Sequence, residues 1–212
     1  MRKQLVLFDF DGTLAETLPA IKEIISEYAP SFGFTAPSQK DWEDARGKTP
    51  VEMMKMFHVP LWKLPVLLAK GRGALQKKIA TVSLFSGIKA MLSELKQLNF
   101  RLGILTSNDK TVVEKYLQDQ DILSYFEFVK SEFNLFGKDE SMKKIGKELE
   151  LSPSQILYVG DEVRDVEACK KVGIDCIAVE WGFSTREALE KAGALSVVKT
   201  TEELTDQIKK AS

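Results

Sequence analysis

The sequence predicts an α/β fold, a doubly wound parallel sheet interrupted by a small α-helical insertion. Three observations carry that prediction. Leu5-Val6-Leu7-Phe8 is apolar throughout, as expected of a parallel strand covered on both faces. After Thr106, strand-like and helix-like segments alternate, the pattern of a parallel sheet with helices on both sides. Between these regions Asp11 and Thr106 stand about 95 residues apart, whereas a strand-helix-strand unit needs only about 30.

Taken in order, the first strand covers 5–8. Residues 16–80 then read as helical, broken by Pro30, Pro37, Pro50, Pro60 and Pro65, which favour boundaries between several short helices. We expect an all-helical cap domain over 16–80, inserted in a core made of 1–15 and 81–212. Ile88, Met91, Leu92, Leu95 and Leu98 recur at helical spacing and lead into a second strand, Arg101–Thr106. Later strands are expected near Phe126–Lys130, Ile156–Gly160, Asp175–Val179 and Leu195–Val198. Helices are expected near 111–119, 139–150, 163–172, 185–192 and 201–210.

Bulk properties narrow the class of function. Lys and Arg number 30 against 31 Asp and Glu, a net charge of −1, so no global field draws nucleic acid or a membrane surface. No stretch approaches the roughly 18 apolar residues of a membrane span, and Met1-Arg2-Lys3 leads into too short an apolar run for a signal peptide. Cys169 and Cys176 are too few for a disulfide framework. The expectation is a cytoplasmic protein acting on a small molecule, with monomer and dimer both open. His58 and the tryptophans Trp42, Trp62 and Trp181 read as packing residues.

Four polar clusters fall at predicted strand ends. In Asp9-Phe10-Asp11-Gly12-Thr13-Leu14 an extended chain points Asp9 and Asp11 one way and Phe10 the other, and Gly12 permits a sharp turn. Paired carboxylates need a cation or a shared proton, so a metal site or an acid/base site follows. Thr106-Ser107-Asn108 closes the second strand before a helix, suiting either an anion site or an ordinary N-cap. Gly137-Lys138 follows the third strand, where Lys130, Lys143 and Lys144 compete for the same role. Gly160-Asp161-Glu162-Val163-Arg164-Asp165 follows the fourth, with Asp165 about one helical turn beyond Asp161. Ligands bind outside the carboxyl ends of such strands.

On these motifs the chain resembles the haloacid dehalogenase superfamily, in the branch with a helical cap after the first motif, and its phosphoglycolate phosphatase-like members above all. The resemblance spans essentially the whole chain. It implies Asp9 as nucleophile and Asp11 as general acid/base, both also near the metal, with Gly12 beside the phosphate. Thr106, with Ser107 and Asn108, matches the second motif as phosphate ligands, and Lys138 the third as the cation. Gly160-Asp161 with Asp165 matches the fourth, Asp161 completing a Mg²⁺ site and Asp165 supporting Lys138 or a metal-bound water. Asp139 stands where many relatives carry proline, and Glu162 where a small hydroxyl residue is common. Arg46-Gly47-Lys48-Thr49 matches the cap loop that such proteins present to substrate, so Arg46 and Lys48 are expected to hold a second anionic group. A solvated turn is the other reading.

The implied activity is Mg²⁺-dependent hydrolysis of a small phosphomonoester, phosphoglycolate-like, through an aspartyl-phosphate. A phosphomutase of the β-phosphoglucomutase type would use the same Asp9 and Asp11, and sugar phosphates or nucleotides are alternative substrates. A dehalogenase needs no metal, so Asp11, Asp161 and Asp165 together argue against one. A receiver domain would be about half this length and lack the insertion.

Overall fold

In the computed structural model, which describes residues 2–134 and 137–211, the first apolar run forms β1, Leu5–Phe8, with all four residues completely buried. Five more strands join it: β2 (Arg101–Thr106), β3 (Phe128–Ser131), β4 (Ile156–Gly160), β5 (Asp175–Val179) and β6 (Ser196–Val198). All pairings are parallel, in the order β3-β2-β1-β4-β5-β6. The doubly wound expectation therefore holds. In register, Phe8 lies opposite Ile104 on one side and Val159 on the other, so β1, β2 and β4 end close together.

Alternation along β1 divides its side chains between two apolar layers. Val6 and Phe8 join the layer built by α5 (Ile88–Gln97), α6 (Lys110–Asp119) and α10 (Thr201–Lys210). Leu5 and Leu7 join the layer built by α7 (Lys138–Glu148), α8 (Val163–Val172) and α9 (Arg186–Ala192). Burying each of these side chains stabilises the fold by roughly 1.5–3 kcal/mol. Phe8 meets Phe126 edge-on, and Phe10 meets Tyr116 in the same way.

Residues between β1 and α5 form α1 (Leu18–Phe32), α2 (Gln39–Ala45), α3 (Pro50–Met56) and α4 (Leu64–Lys78), with short 3₁₀ turns between and after them. Reciprocal capping boxes, Ser38 with Asp41 and Thr49 with Glu52, start α2 and α3. The chain leaves and returns side by side: Glu16 N–H donates to the Ser83 carbonyl at 2.9 Å and Phe85 N–H to the Leu14 carbonyl at 3.1 Å. No helix among the described residues is long and apolar enough to cross a membrane.

Three expectations need correction. Pro30 does not bound a helix but lies in the last turn of α1, where Gly33 at φ 75° closes the helix onto the carbonyls of Ala29 and Pro30. His58 is exposed at φ 54° just past α3, not packed. Trp62 is 75 % exposed, in the 3₁₀ turn before α4.

Candidate active site

Because β1 lies between β2 and β4, the residues that follow these three strands meet over one edge of the sheet. Asp9, one residue past β1, is 1 % exposed. Its Oδ1 accepts the Phe10 N–H at 2.7 Å and its Oδ2 accepts Lys138 Nζ at 2.6 Å. Lys138 opens α7 beneath the sheet edge and is 2 % exposed. Its ammonium has three donors, and all are used: Asp9, Asp165 Oδ1 at 2.6 Å and the Tyr158 hydroxyl at 2.9 Å. The rival lysines are engaged elsewhere, Lys130 with Glu148 and Lys143 with Glu140.

Asp161 follows β4 directly. Its Oδ1 accepts the Thr13 hydroxyl at 3.0 Å and its Oδ2 the Phe183 N–H at 2.8 Å. Gly12, at φ 73°, brings the backbone so near that a Cβ there would lie 2.2 Å from Asp161 Oδ2. No other residue type fits this turn without displacing the carboxylate.

The electrostatics are those of crowded, desolvated acids. Burial drives Asp161 well above the ordinary carboxylate range, and the charges of Glu162, Asp9 and Asp165 add to it. Burial also raises Asp9, against the pull of Lys138. Burial alone would lower Lys138, but Asp165 and Asp9 outweigh it and hold the ammonium above its usual range. Asp11 is pushed up to about 6 by burial, opposed in part by hydrogen bonding from Asn108, whose amide lies 3.3 Å from each carboxylate oxygen.

Carboxylate oxygens of Asp9, Asp161 and Asp165 lie within 4.8 Å of one another. Asp11 is not part of this group; its side chain faces Asn108 instead. Thr106, completely buried at the end of β2, accepts the Asn108 N–H at 3.0 Å, which leaves its own hydroxyl proton to donate. Ser131 fixes this turn by donating to the Asn108 carbonyl at 2.8 Å, and the N-cap of α6 is Asp109. Thr106 is therefore not the helix cap.

The family profile of haloacid dehalogenase-like hydrolases matches residues 6–179, from β1 through β5. The chain belongs to that family. A phosphoglycolate phosphatase of Synechococcus elongatus is 32 % identical over 189 residues, covering 89 % of each protein. Tyrosine-protein kinase PtkA of Mycobacterium tuberculosis is 24 % identical, over 92 % of this chain and 68 % of the kinase. A solved structure of a predicted phosphatase from Clostridium acetobutylicum superposes with a TM-score of 0.86 at 23 % identity, covering 99 % and 100 % of the two chains. That last likeness speaks to fold alone.

Within this hydrolase, the sheet edge gathers Asp9, Asp11, Gly12, Thr106, Ser107, Asn108, Lys138, Asp161 and Asp165. Of the two expected cap cations, Arg46 is bonded to the core backbone, whereas Lys48 lines the same cavity as Asp11 and Asp161. The guanidinium of Arg46 donates to four carbonyls of one core loop: Phe183 at 3.0 Å, Gly182 and Ser184 at 3.2 Å, and Glu180 at 3.3 Å. That geometry ties α2 to the loop and occupies Nε and Nη2. Gly47, at φ 84°, allows the approach, since a Cβ there would meet Ala188 at 2.8 Å. Lys48 is exposed and borders the cavity above the site.

Sequence reasoning missed four contributors. Tyr158 looks like a core aromatic of β4, yet its hydroxyl accepts from Lys138 and donates to the Leu105 carbonyl at 3.1 Å. A tyrosine in an otherwise aliphatic buried strand must satisfy its hydroxyl, and that was the available signal. Thr13 and the Phe183 N–H position Asp161. Arg164, the one base in its acidic run, donates to Glu162 at 2.5 Å, while its Nε and Nη1 are buried without a hydrogen-bond partner.

Proposed function

We propose that this hydrolase is a phosphatase that cleaves a small phosphomonoester with a divalent cation, through an aspartyl-phosphate on Asp9. The observation that carries this reading is the Lys138 ammonium clamped between Asp9 and Asp165, beside a third buried carboxylate, Asp161. Such a group of desolvated carboxylates exceeds the positive charge that Lys138 supplies. The donors are all oxygen, which suits a hard cation such as Mg²⁺. Asp9 and Asp161 would hold it, with the backbone carbonyl of Asp11. When bound, the ion supplies positive charge against the phosphoryl oxygens and a fixed orientation for the ester.

The protein's own groups account for the remaining steps. A carboxylate approaching a phosphate dianion meets repulsion of about 4 kcal/mol per unit-charge pair at 4 Å and an effective dielectric near 20. Lys138, already 2.6 Å from Asp9, offsets it. An Asp9 oxygen attacks phosphorus and the ester P–O bond breaks, its electron pair leaving with the alcohol oxygen. Asp11 gives that oxygen a proton. A carboxyl pushed up to about 6 is easily protonated near neutrality, which suits it to that step. Asp11 then takes a proton from water as the water oxygen attacks the phosphorus on Asp9, releasing phosphate and restoring the carboxylate. Thr106, Ser107 and the loop N–H groups face the phosphoryl oxygens.

In the same reading, residues 16–80 act as a cap over the strand ends. The name of the Synechococcus relative makes phosphoglycolate the first ester to assay. The test is a phosphomonoester panel with purified protein, with and without Mg²⁺, alongside Asp9→Asn. We expect hydrolysis that vanishes in excess chelator and in the variant. Full activity in either condition contradicts the proposal.

A further inference from the structure

A cavity of about 310 Å³ runs from the sheet edge into the helical segment, and its two ends differ in chemistry. At the sheet end it meets Asp11, Ser107, Asn108, Asp161 and Arg164. Glu162 also borders this end and takes the Nη2 donor of Arg164, whose Nε and Nη1 are sealed from the cavity. At the far end α1, α3, the residue after α3, and α4 contribute Ile25, Tyr28, Met53, Phe57, Leu67 and Leu68. Each is only partly buried and lines the cavity. Among the described residues on the wall contributed by the helical segment, Lys48 and Arg72 alone are charged. Arg72 is turned aside, its guanidinium 4.8 Å over the Phe133 ring and its Nε toward the Leu68 carbonyl.

Protein interiors rarely leave voids of this size, and ligand cavities of this kind orient a molecule with a few polar groups and bury its apolar body. We infer that the preferred substrate is a phosphomonoester of an apolar alcohol, with the phosphoryl group at the sheet end beside Asp9 and the hydrocarbon body among the α1, α3 and α4 side chains. A short, doubly anionic ester would fill little of this space. The inference rests on the phosphatase reading above and adds the class of leaving group.

The test uses the full chain with Mg²⁺, straight-chain alkyl phosphates from ethyl to octyl, and phosphoglycolate. Burial of each methylene should raise kcat/KM by about two- to fourfold until the cavity is full, chiefly through KM. Phosphoglycolate should fall below the longer alkyl esters. Met53→Gln and Leu68→Gln, each placing an amide on the apolar wall, should lower the octyl-to-ethyl ratio. Calorimetric binding of octylphosphonate against ethylphosphonate should show the same loss without requiring turnover. Active enzyme with a flat series, a preference for phosphoglycolate, or a ratio unmoved in both variants overturns the inference and leaves the phosphatase reading intact. No Mg²⁺-dependent hydrolysis of any ester overturns both.

Discussion

The sheet edge and the helical segment above it are built on opposite principles. At the sheet edge, Asp9, Lys138, Asp161 and Asp165 are each at most 2 % exposed, and each makes short hydrogen bonds to fixed partners. In the helical segment, large apolar side chains stand half-buried around a cavity, and Leu61, Trp62 and Val66 face solvent. A rigid polar floor can recognise only what every phosphomonoester shares. An adaptable apolar roof, with Met53 and Met54 on the cavity wall, can select among leaving groups but supplies no chemistry. On this account, changes at the floor affect all substrates alike and changes at the roof alter the ratios between them.

After the complete loss expected for Asp9→Asn, the largest effect should come from Asp11→Asn. Loss of a positioned acid/base typically costs about 10²–10⁴-fold in turnover. We expect that loss for every ester, with Mg²⁺ affinity by calorimetry nearly unchanged because the side chain of Asp11 lies outside the carboxylate cluster. Next comes Lys138→Ala, which strands two buried carboxylates. Breaking a buried pair in this way costs about 3–5 kcal/mol, to be read as a lowered unfolding midpoint in chelator, whereas Lys143→Ala should leave the midpoint in place.

A smaller effect, and the one that best separates floor from roof, is expected at Arg46. Its four carbonyl partners lie in the loop that also gives Asp161 the Phe183 N–H. Arg46→Ala should therefore raise KM by a similar factor, several-fold, for all esters. Lys48→Ala, at the cavity border, should change the ratios between them. A substrate-selective loss in Arg46→Ala would restore Arg46 as a ligand of the leaving group. The smallest effect should be Tyr158→Phe: about 1 kcal/mol of stability for the lost hydroxyl, and a modest fall in kcat as Lys138 loses its third partner.

The floor was legible in the sequence because buried parallel strands announce themselves as apolar runs, and the polar residues that end them share one edge. Asp9, Thr106 and Asp161 could thus be placed together before any coordinates. Lys138 could not be told from Lys130 by pattern alone; the difference is that α7 begins at Lys138, directly beneath Asp9, while Lys130 points out to Glu148. The roof was scarcely legible. Its helical character could be read from the sequence, but Pro30 marks no boundary, and Arg46 meets a loop more than 130 residues away, a contact of which sequence spacing carries no trace. The same holds for Trp62, whose apolar character suggested a core that the helices do not provide there.

The claim on which the rest depends is that Asp9 becomes phosphorylated. Mixing the enzyme with a ³²P-labelled ester and Mg²⁺, quenching in acid within the first turnover and mapping the protein-bound label by peptide mass tests it directly. The account predicts base-labile phosphate on the peptide containing Asp9, and none in Asp9→Asn. Turnover without protein-bound phosphate, or label on another residue, would contradict it.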